Sequence, residues 1–361
     1  MNINSLKIGN LSVKLPIIQG GMGVGVSLSS LASAVANEGG IGVISTAGIG
    51  MNEHDFMTNY AEANIRALKK EIRKAKELTK GILGVNIMVA ISNFEDMVKT
   101  AVEEGIDVIF SGAGLPLDLP KFLRKMIDTK LVPIISSKRA ASIIIKKWLS
   151  KYDYLPDAVV VEGPMAGGHL GFGEDQINDY EYSLEKLVPE IISEVKKFED
   201  TYNKPIPVIA AGGIYSGEDI HKYMKLGAKG VQMATRFVTT NECDASIEYK
   251  NSYINCKKED ITIIASPVGM PGRVIKNKFI EDVKNGKRHP IKCPYHCIRT
   301  CDFKNSPYCI ALALINSQKG DLDNGFVFAG ENAFKTDKIV SVKDMISSVR
   351  EEYSVANAKE S

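Results

Sequence analysis

The sequence predicts a TIM-type (β/α)8 barrel that carries a C-terminal lid or subdomain. Eight short apolar runs, most of them ending in glycine, serine or asparagine, recur along the first 240 residues, with helical patterns between them. The runs are continuously apolar rather than alternating, as expected for strands that are buried on both faces. A doubly wound open sheet is the alternative. It is disfavoured because a long tail, rather than further βα units, follows the eighth run.

The elements of this barrel follow from local signals. The helical segment "SLSSLASAVANEGG" begins with a serine cap and ends at glycine, and "NFEDMVKTAVEEG" has Asn93 as its cap and Gly105 as its stop. The segment "SGEDIHKYMKLGA" repeats the pattern before the last strand, and the long charged segment 53–80 predicts one or two outer helices. The predicted strands are residues 15–23, 42–46, 82–89, 107–114, 131–137, 157–163, 206–214 and 230–237.

Three segments are expected along the chain. Residues 1–240 form the barrel, which is also expected to bind the cofactor. The alternation of strand and helix signals stops in residues 241–324, which are expected to form a lid or subdomain; this segment holds all six cysteines, four of them close together. Residues 325–361 are expected to supply a closing loop and a helix.

Composition excludes several classes of partner. The 361 residues include 45 Lys and Arg against 43 Asp and Glu, so neither a nucleic acid nor an acidic membrane surface is expected. No apolar stretch approaches the roughly 20 residues that span a bilayer, and the N-terminus lacks the apolar core of a signal peptide. We therefore expect a cytoplasmic protein, and six cysteines in so long a chain do not indicate a secreted disulfide scaffold. The sequence allows a homodimer but does not specify one.

The residues that follow strands seven and eight predict a phosphate site. In a (β/α)8 barrel the site lies at the carboxyl ends of the strands, and phosphate is usually bound after strands seven and eight. Gly212 and Gly213 offer backbone N–H groups with no Cβ in the way, and Ala234 and Thr235 offer the same from the next strand, with a hydroxyl added. The segment "SGED" then opens a helix whose amino end favours an anion. Singly, these glycines would indicate only tight turns, but two small-residue loops on adjacent strands favour phosphate.

Residues at the other strand ends suit a flat ring beside this phosphate. The backbone of "QGGMG" can lie along such a ring, Asn86 can hydrogen-bond its polar edge, and Glu162 can bind a ribityl-type hydroxyl or orient a neighbour. In "EGPMAGGH" the paired glycines let the ring approach while His169 stands over it. The predicted cofactor contacts outside the phosphate loops are Gly21, Met22, Gly23, Asn86, Ser137, Glu162, Gly167 and Gly168. Flavin mononucleotide (FMN) suits this set better than a dinucleotide, because the strand–GxGxxG–helix fingerprint is absent.

Five ordered motifs carry a family resemblance. They are "PIIQGGMG", "GVNI", "EGPMAGGHLG", "PVIAAGGI" and "GVQMATRF", and they span about residues 10 to 240. With them the chain resembles the nitronate monooxygenase family and its relatives, the FMN-dependent enoyl-ACP reductases. Beyond them, "SPVGMPGRVI" looks like the family's lid segment and "FVFAGEN" like its closing loop.

The resemblance implies an FMN-binding barrel with His169 as the catalytic base. A nitronate monooxygenase would oxidise a small alkyl nitronate with oxygen to a carbonyl compound and nitrite. In the reductase alternative the same histidine would assist proton delivery to an enoyl thioester, with NAD(P)H as the co-substrate that reduces the flavin. Both activities need an apolar cleft above the flavin, which Met22, Met165 and Met270 are expected to line.

A third function class uses no flavin. A phosphate-binding isomerase or aldolase barrel would use the same loops after strands seven and eight. No lysine sits clearly at a strand end to form a Schiff base, although Lys138 is close.

Two features depart from the family pattern. Glu331 stands in the closing loop where the family often has glutamine. In "CPYHCIRTCDFKNSPYC", Cys293, Cys297 and Cys301 are spaced by four, so that a helix would place them on one face, and Cys309 follows. Such thiolates can hold an iron–sulfur cluster or zinc, yet the spacing matches neither CxxC pairs nor a ferredoxin run. Metal binding, free buried thiols and redox-active or disulfide pairing all remain open, and no metal site is assigned.

Overall fold

The computed structural model describes residues 4–123, 128–287, 293 and 295–360. It opens with an antiparallel pair, β1 (Leu6–Ile8) and β2 (Leu11–Val13). The apolar residues of this pair, Leu6, Ile8 and Val13, are fully buried against the interior of the barrel that follows. The pair therefore closes the end of the barrel opposite the predicted site.

Eight parallel strands form a closed barrel, which confirms the predicted fold class. They are β3 (Ile17–Gln19), β4 (Ile41–Ser45), β5 (Ile82–Met88), β6 (Val108–Gly112), β7 (Lys130–Ile135), β8 (Val159–Glu162), β10 (Val208–Ala211) and β11 (Gly230–Met233). A two-residue strand, β9 (Gly168–His169), lies outside the barrel. The barrel strands are buried on both faces, which explains why their sequences are continuously apolar.

Helices surround the barrel, and further helices follow it in the C-terminal part of the chain. They are α1 (Ser29–Asn37), α2 (Tyr60–Leu78), α3 (Phe94–Glu103), α4 (Lys138–Tyr152), α5 (Leu184–Tyr202), α6 (Gly217–Lys225), α7 (Thr235–Val238), α8 (Ile247–Ile254), α9 (Lys278–Lys284), α10 (Ile310–Gln318) and α11 (Val342–Glu360). Short 3₁₀ turns lie at Leu119–Phe122, Tyr180–Tyr182, Lys258–Asp260 and Ala333–Lys335. No helix in the described ranges is long and apolar enough to cross a membrane.

Several local predictions need correction. The eighth strand ends at Met233 instead of residue 237, because the chain turns into α7 at Thr235. Helix α1 has Leu28 rather than a serine as its cap, and the side chain of Asn93 makes no capping hydrogen bond to α3. In contrast, Ser216 caps α6 through a complete capping box, as its sequence indicates.

A small antiparallel sheet lies over the open end of the barrel. Its strands are β12 (Ile261–Ala265), β13 (Pro271–Ile275) and β14 (Val327–Phe328), with β13 in the middle. β13 also pairs with β9, so that Gly272 lies opposite His169. The lid segment is therefore joined by backbone hydrogen bonds to the loop that carries the histidine.

Candidate active site

A large cavity opens at the carboxyl ends of the barrel strands. Its volume is about 920 Å³, within the range of roughly 300–1,000 Å³ that is usual for cofactor sites. All thirteen site residues named from the sequence line it: Gly21, Met22, Gly23, Asn86, Ser137, Glu162, Gly167, Gly168, His169, Gly212, Gly213, Ala234 and Thr235. Met165 and Met270 line it as well, so that the methionines expected in an apolar cleft also face this space.

The loop after β3 packs tightly against the end of β5. A Cβ added at Gly21 would overlap the Cβ of Asn86, and one added at Gly23 would lie 2.9 Å from the Cβ of Ala47. The backbone N–H of Met22 donates to Ser27 Oγ at 2.9 Å, which fixes the loop. Without side chains at these glycines, the loop presents backbone to the cavity, as a planar ligand requires.

The loops after β10 and β11 lie side by side. Gly212 and Gly213 have positive φ angles of 95° and 84°, and a Cβ at Gly212 would meet the carbonyl oxygen of Gly163 at 2.7 Å. Only glycine tolerates both the angle and the close approach. Because β10 and β11 pair directly, these glycines and Thr235 lie at adjacent strand ends, where (β/α)8 barrels bind phosphate.

The predicted contribution of helix α6 to phosphate binding is not supported. The carboxylate of Asp219 accepts hydrogen bonds from the backbone N–H groups of Tyr215 and Ser216, each at 2.9 Å. Glu352 accepts from the N–H of Gly217 at 2.8 Å. The N–H group of Gly217, the first residue of α6, and the two N–H groups before it are therefore satisfied by carboxylates of this chain, which would repel a second anion.

His169 lies in β9 at the wall of the cavity. Its Nε2 is 2.7 Å from Ser266 Oγ, and its ring meets the ring of Phe328 edge-on with the centroids 5.0 Å apart. Burial disfavours the charged imidazolium and lowers the pKa of His169 to about 4. The imidazole is therefore neutral at pH 7, and one of its nitrogens is free to accept a proton.

Sequence reasoning missed Ser266 as a functional residue. It is the serine of "SPVGMPGRVI", the segment that resembles a family lid, and it follows β12 directly. The pairing of β9 with β13 brings it to His169 across 97 positions of sequence. The motif that resembles a family lid was the signal present in the sequence. The pairing of β13 with β9, which joins this segment to the histidine, cannot be read from the motif.

Glu162 ends β8 at the base of the cavity. Burial raises the pKa of this carboxyl group to about 7. It lies opposite Ala211, one residue before Gly212 and Gly213. A hydroxyl of a ligand whose phosphate lies at those glycines would therefore meet a carboxyl group that can accept its hydrogen bond.

A buried arginine, paired with a partly exposed glutamate, holds the loop between Glu162 and His169. Arg273 of β13 is 3% exposed, and its Nε lies 2.9 Å from Glu331 Oε2. Its Nη1 donates to the carbonyl oxygens of Pro164 and Ala166, both at 2.6 Å. Burial lowers the pKa of Arg273, while the adjacent carboxylate of Glu331 raises it. Glu331, the residue that departs from the family pattern, therefore compensates the charge of the arginine that positions the histidine loop.

The cavity fits FMN on its own geometry. The glycine-rich loop after β10, which a Cβ would obstruct, lies where barrels of this type bind phosphate, the glycine-rich loop after β3 presents backbone to the cavity, and the carboxyl group of Glu162, whose pKa burial raises, lies at the neighbouring strand end. Fold and site together define an FMN-dependent oxidoreductase. A model of the family described as nitronate monooxygenase matches residues 4–352, and the chain belongs to this family.

Individual relatives agree with this assignment. The chain is 30% identical over 302 residues to a probable nitronate monooxygenase of Staphylococcus aureus (strain Newman), covering 76% of this chain and 78% of that protein. Among solved structures it is similar to FabK from Thermotoga maritima, with a TM-score of 0.73 and 28% identity over 96% of this chain and 95% of the other. A nitroalkane oxidase from Streptomyces ansochromogenes has a TM-score of 0.72 and 20% identity over 96% and 98% of the two chains, a likeness of fold alone.

Proposed function

We propose that this protein oxidises alkyl nitronates with oxygen to a carbonyl compound and nitrite, with FMN as its cofactor and His169 as the catalytic base. The observation that carries the proposal is the neutral imidazole of His169, held at the wall of a cofactor-sized cavity. A neutral histidine suits removal of the acidic proton next to a nitro group, which yields the nitronate. The name of the Staphylococcus aureus relative supports the same activity.

The residues of this chain bind and orient the cofactor and the substrate, while the flavin supplies the redox chemistry when it is bound. The N–H groups around Gly212, Gly213 and Thr235 would hold the phosphate, and Glu162 a hydroxyl of the ribityl chain. Asn86 would hydrogen-bond the polar edge of the ring. His169 would accept the substrate proton on the ring nitrogen that carries none, with Ser266 keeping the imidazole in one orientation.

The alternative is an NAD(P)H-dependent enoyl thioester reductase. It is favoured by the likeness to FabK, a structure that the chain matches over nearly its whole length. In that activity His169 would assist proton delivery to the reduced thioester. A flavin-free isomerase or aldolase is disfavoured by the family to which the chain belongs.

Two assays on the FMN-loaded protein separate these activities. The first measures oxygen consumption and nitrite release with nitroethane and with propionate-3-nitronate, without pyridine nucleotide. The second measures NADH and NADPH oxidation with crotonyl thioesters. Nitrite release that needs oxygen and no NAD(P)H supports the proposal, whereas thioester-dependent NAD(P)H oxidation without nitrite release would replace it with the reductase.

A further inference from the structure

We propose that Cys293, Cys297, Cys301 and Cys309 are the ligands of a [4Fe–4S] cluster. This inference goes beyond the proposed function and does not depend on it. All four cysteines line one cavity of about 220 Å³ that is separate from the large one. None of the six cysteines of the chain forms a disulfide, so all four sulfurs are free to bind.

An irregular loop, rather than the helix considered from the spacing, brings the cysteines together. Ile298 forms a β-bridge with Ile91, which follows the end of β5. On either side of the bridge, the N–H of Ser92 donates to the carbonyl of Cys297 at 2.9 Å, and that of Arg299 to the carbonyl of Ala90 at 3.0 Å. The chain is thus fixed to the barrel in the middle of the cysteine motif, and the four cysteine side chains line the same cavity.

The fourth cysteine arrives from a different element. Cys309 is the residue immediately before α10, so its position is set by a helix and not by the loop. At the other end of the sequence, the N–H of His296 donates to Cys293 Sγ at 3.4 Å. Hydrogen bonds from backbone to sulfur are a recurrent feature of iron–sulfur sites.

The lining chemistry favours thiolate ligation of a soft metal centre. The residues that complete this cavity are His296, Ile298, Arg299, Phe303, Tyr308 and Ile310, with no carboxylate among them in the part of the chain that the structure describes. Thiolates select zinc or iron–sulfur centres over hard cations. Arg299 also brings a positive charge to a site where four thiolates would accumulate negative charge.

Size and spacing distinguish a cluster from a single zinc ion. Four thiolates around one tetrahedral zinc lie about 3.8 Å from one another, given zinc–sulfur bonds of roughly 2.3 Å. Within the described ranges, the group of three ligand atoms that lie within 4.8 Å of one another is Glu53, His54 and Asp55, and it includes no cysteine. The thiols are therefore spread more widely than one ion requires. A cavity of about 220 Å³ also far exceeds the roughly 15 Å³ that holds one water, whereas a four-iron, four-sulfide core would occupy the larger space.

The isolated acidic group at Glu53 offers no comparable site, because Arg66 already pairs with the carboxylates of Glu53 and Asp55.

The cluster site and the cofactor cavity share a wall. Cys297, Ile298 and Ile310 line both cavities. A cluster bound by the four cysteines would therefore lie one layer of side chains away from the space assigned to FMN.

Iron and acid-labile sulfide, measured on protein purified without oxygen and reconstituted with iron and sulfide, test the proposal. We expect roughly four of each per chain, a broad visible absorbance that outlasts removal of the flavin, and an electron paramagnetic resonance signal after dithionite reduction. Cys301→Ser should lose most of the iron and the signal. The matched control is Cys256→Ser, because Cys256 is also buried but lines neither cavity.

Other outcomes would overturn the proposal. One zinc per chain without labile sulfide would mean a mononuclear site. Protein that takes up no iron on reconstitution, with four thiols that react with a thiol reagent, would mean unligated cysteines. Wild-type iron content in a folded Cys301→Ser would exclude that ligand. Should this variant fail to fold, the iron, sulfide and resonance measurements on the wild-type protein decide alone.

Discussion

His169 and Ser266 lie 2.7 Å apart, from Nε2 to Oγ, although 97 positions separate them in the chain. The serine directly follows β12 of the small antiparallel sheet, the histidine lies in β9, and the β9–β13 pairing joins the two segments. The orientation of the proposed base therefore depends on this small sheet, and changes in the sheet are expected to alter the rate of proton abstraction.

His169→Ala should retain FMN and lose turnover of neutral nitroalkanes by a factor on the order of 100 to 10,000, the usual contribution of a general base. Preformed nitronate needs no proton abstraction, so its turnover should fall much less. Steady-state nitrite assays with nitroethane and with its nitronate measure both effects. His221→Ala is the control, because His221 lies outside the large cavity. Equal losses with both substrates would contradict the base assignment.

Ser266→Ala should reduce the rate of the same step by up to about tenfold, since one hydrogen bond contributes roughly 0.5–1.5 kcal/mol. The loss should appear in kcat for the neutral nitroalkane, with little change in KM. The serine orients the imidazole, and its replacement by alanine leaves the cavity intact. Ser266→Thr, which keeps the hydroxyl, should recover most of the rate. Failure of threonine to recover more than alanine would mean that the serine has a packing role only.

The pH profile should reflect the buried imidazole. Because burial lowers the pKa of His169 to about 4, the base form persists on acidification from pH 7 and is lost only as the pH approaches 4. The acidic limb of kcat/KM for a neutral nitroalkane should therefore lie well below pH 6.5. Burial raises the pKa of Glu162 to about 7, so titration of this carboxyl group would add a second limb near that pH. The profile of Glu162→Gln therefore separates that limb from the one that belongs to His169. A limb near 6.5 that survives in Glu162→Gln would mean a solvated histidine.

Glu331→Gln should destabilise the protein by about 1–3 kcal/mol, because it leaves the buried charge of Arg273 without its carboxylate. Activity should fall as well, since Arg273 holds the carbonyls of Pro164 and Ala166 ahead of the histidine. Thermal unfolding measures the first effect. The exposed pair Lys276–Glu281 supplies the control, and Glu281→Gln should change stability by less than about 0.5 kcal/mol. Equal effects of Glu331→Gln and Glu281→Gln on stability would contradict the role of Glu331 in compensating the buried charge of Arg273.

Gly213→Val should yield protein that contains little flavin. A Cβ at Gly213 would already lie 2.8 Å from that of Met165, and the larger side chain would obstruct the phosphate loop. Gly286 has a similar positive φ, 70° against 84°, but a Cβ there would meet open space. Gly286→Val therefore separates backbone strain from obstruction of the cavity. FMN content by absorbance after gel filtration should fall in the first variant alone, and full occupancy in Gly213→Val would place the phosphate elsewhere.

The barrel could be predicted because its signals are local. Each strand is a short apolar run, and each glycine-rich exit is adjacent to its strand, so the thirteen site residues named from the sequence all line the cavity. Residues of the tail that the strand signals did not indicate, such as Tyr249, Cys297 and Phe328, complete its wall. The end of β11 was misplaced because Thr235 and Phe237 are residue types that favour strands, whereas the chain turns into α7 there.

Features that depend on partners distant in sequence were beyond prediction. The amino end of α6 resembled an anion site, but Glu352 from the last helix accepts the hydrogen bond of the Gly217 N–H group there. Glu331 stood out in the sequence only as a departure from the family pattern, and its ion-pair partner Arg273 could not be read from that departure. The cysteine spacing suggested one helical face, while the bridge between Ile91 and Ile298 shapes the loop.

The central claim is that a nitronate is the substrate of the FMN-loaded enzyme, and an anaerobic titration tests it most directly. The flavin absorbance of the purified protein would be followed under nitrogen as propionate-3-nitronate is added, and separately as NADH or NADPH is added. We predict bleaching by the nitronate alone, with recovery and nitrite release when oxygen is admitted. Bleaching by NAD(P)H and none by the nitronate would contradict the account and assign the site to a reductase.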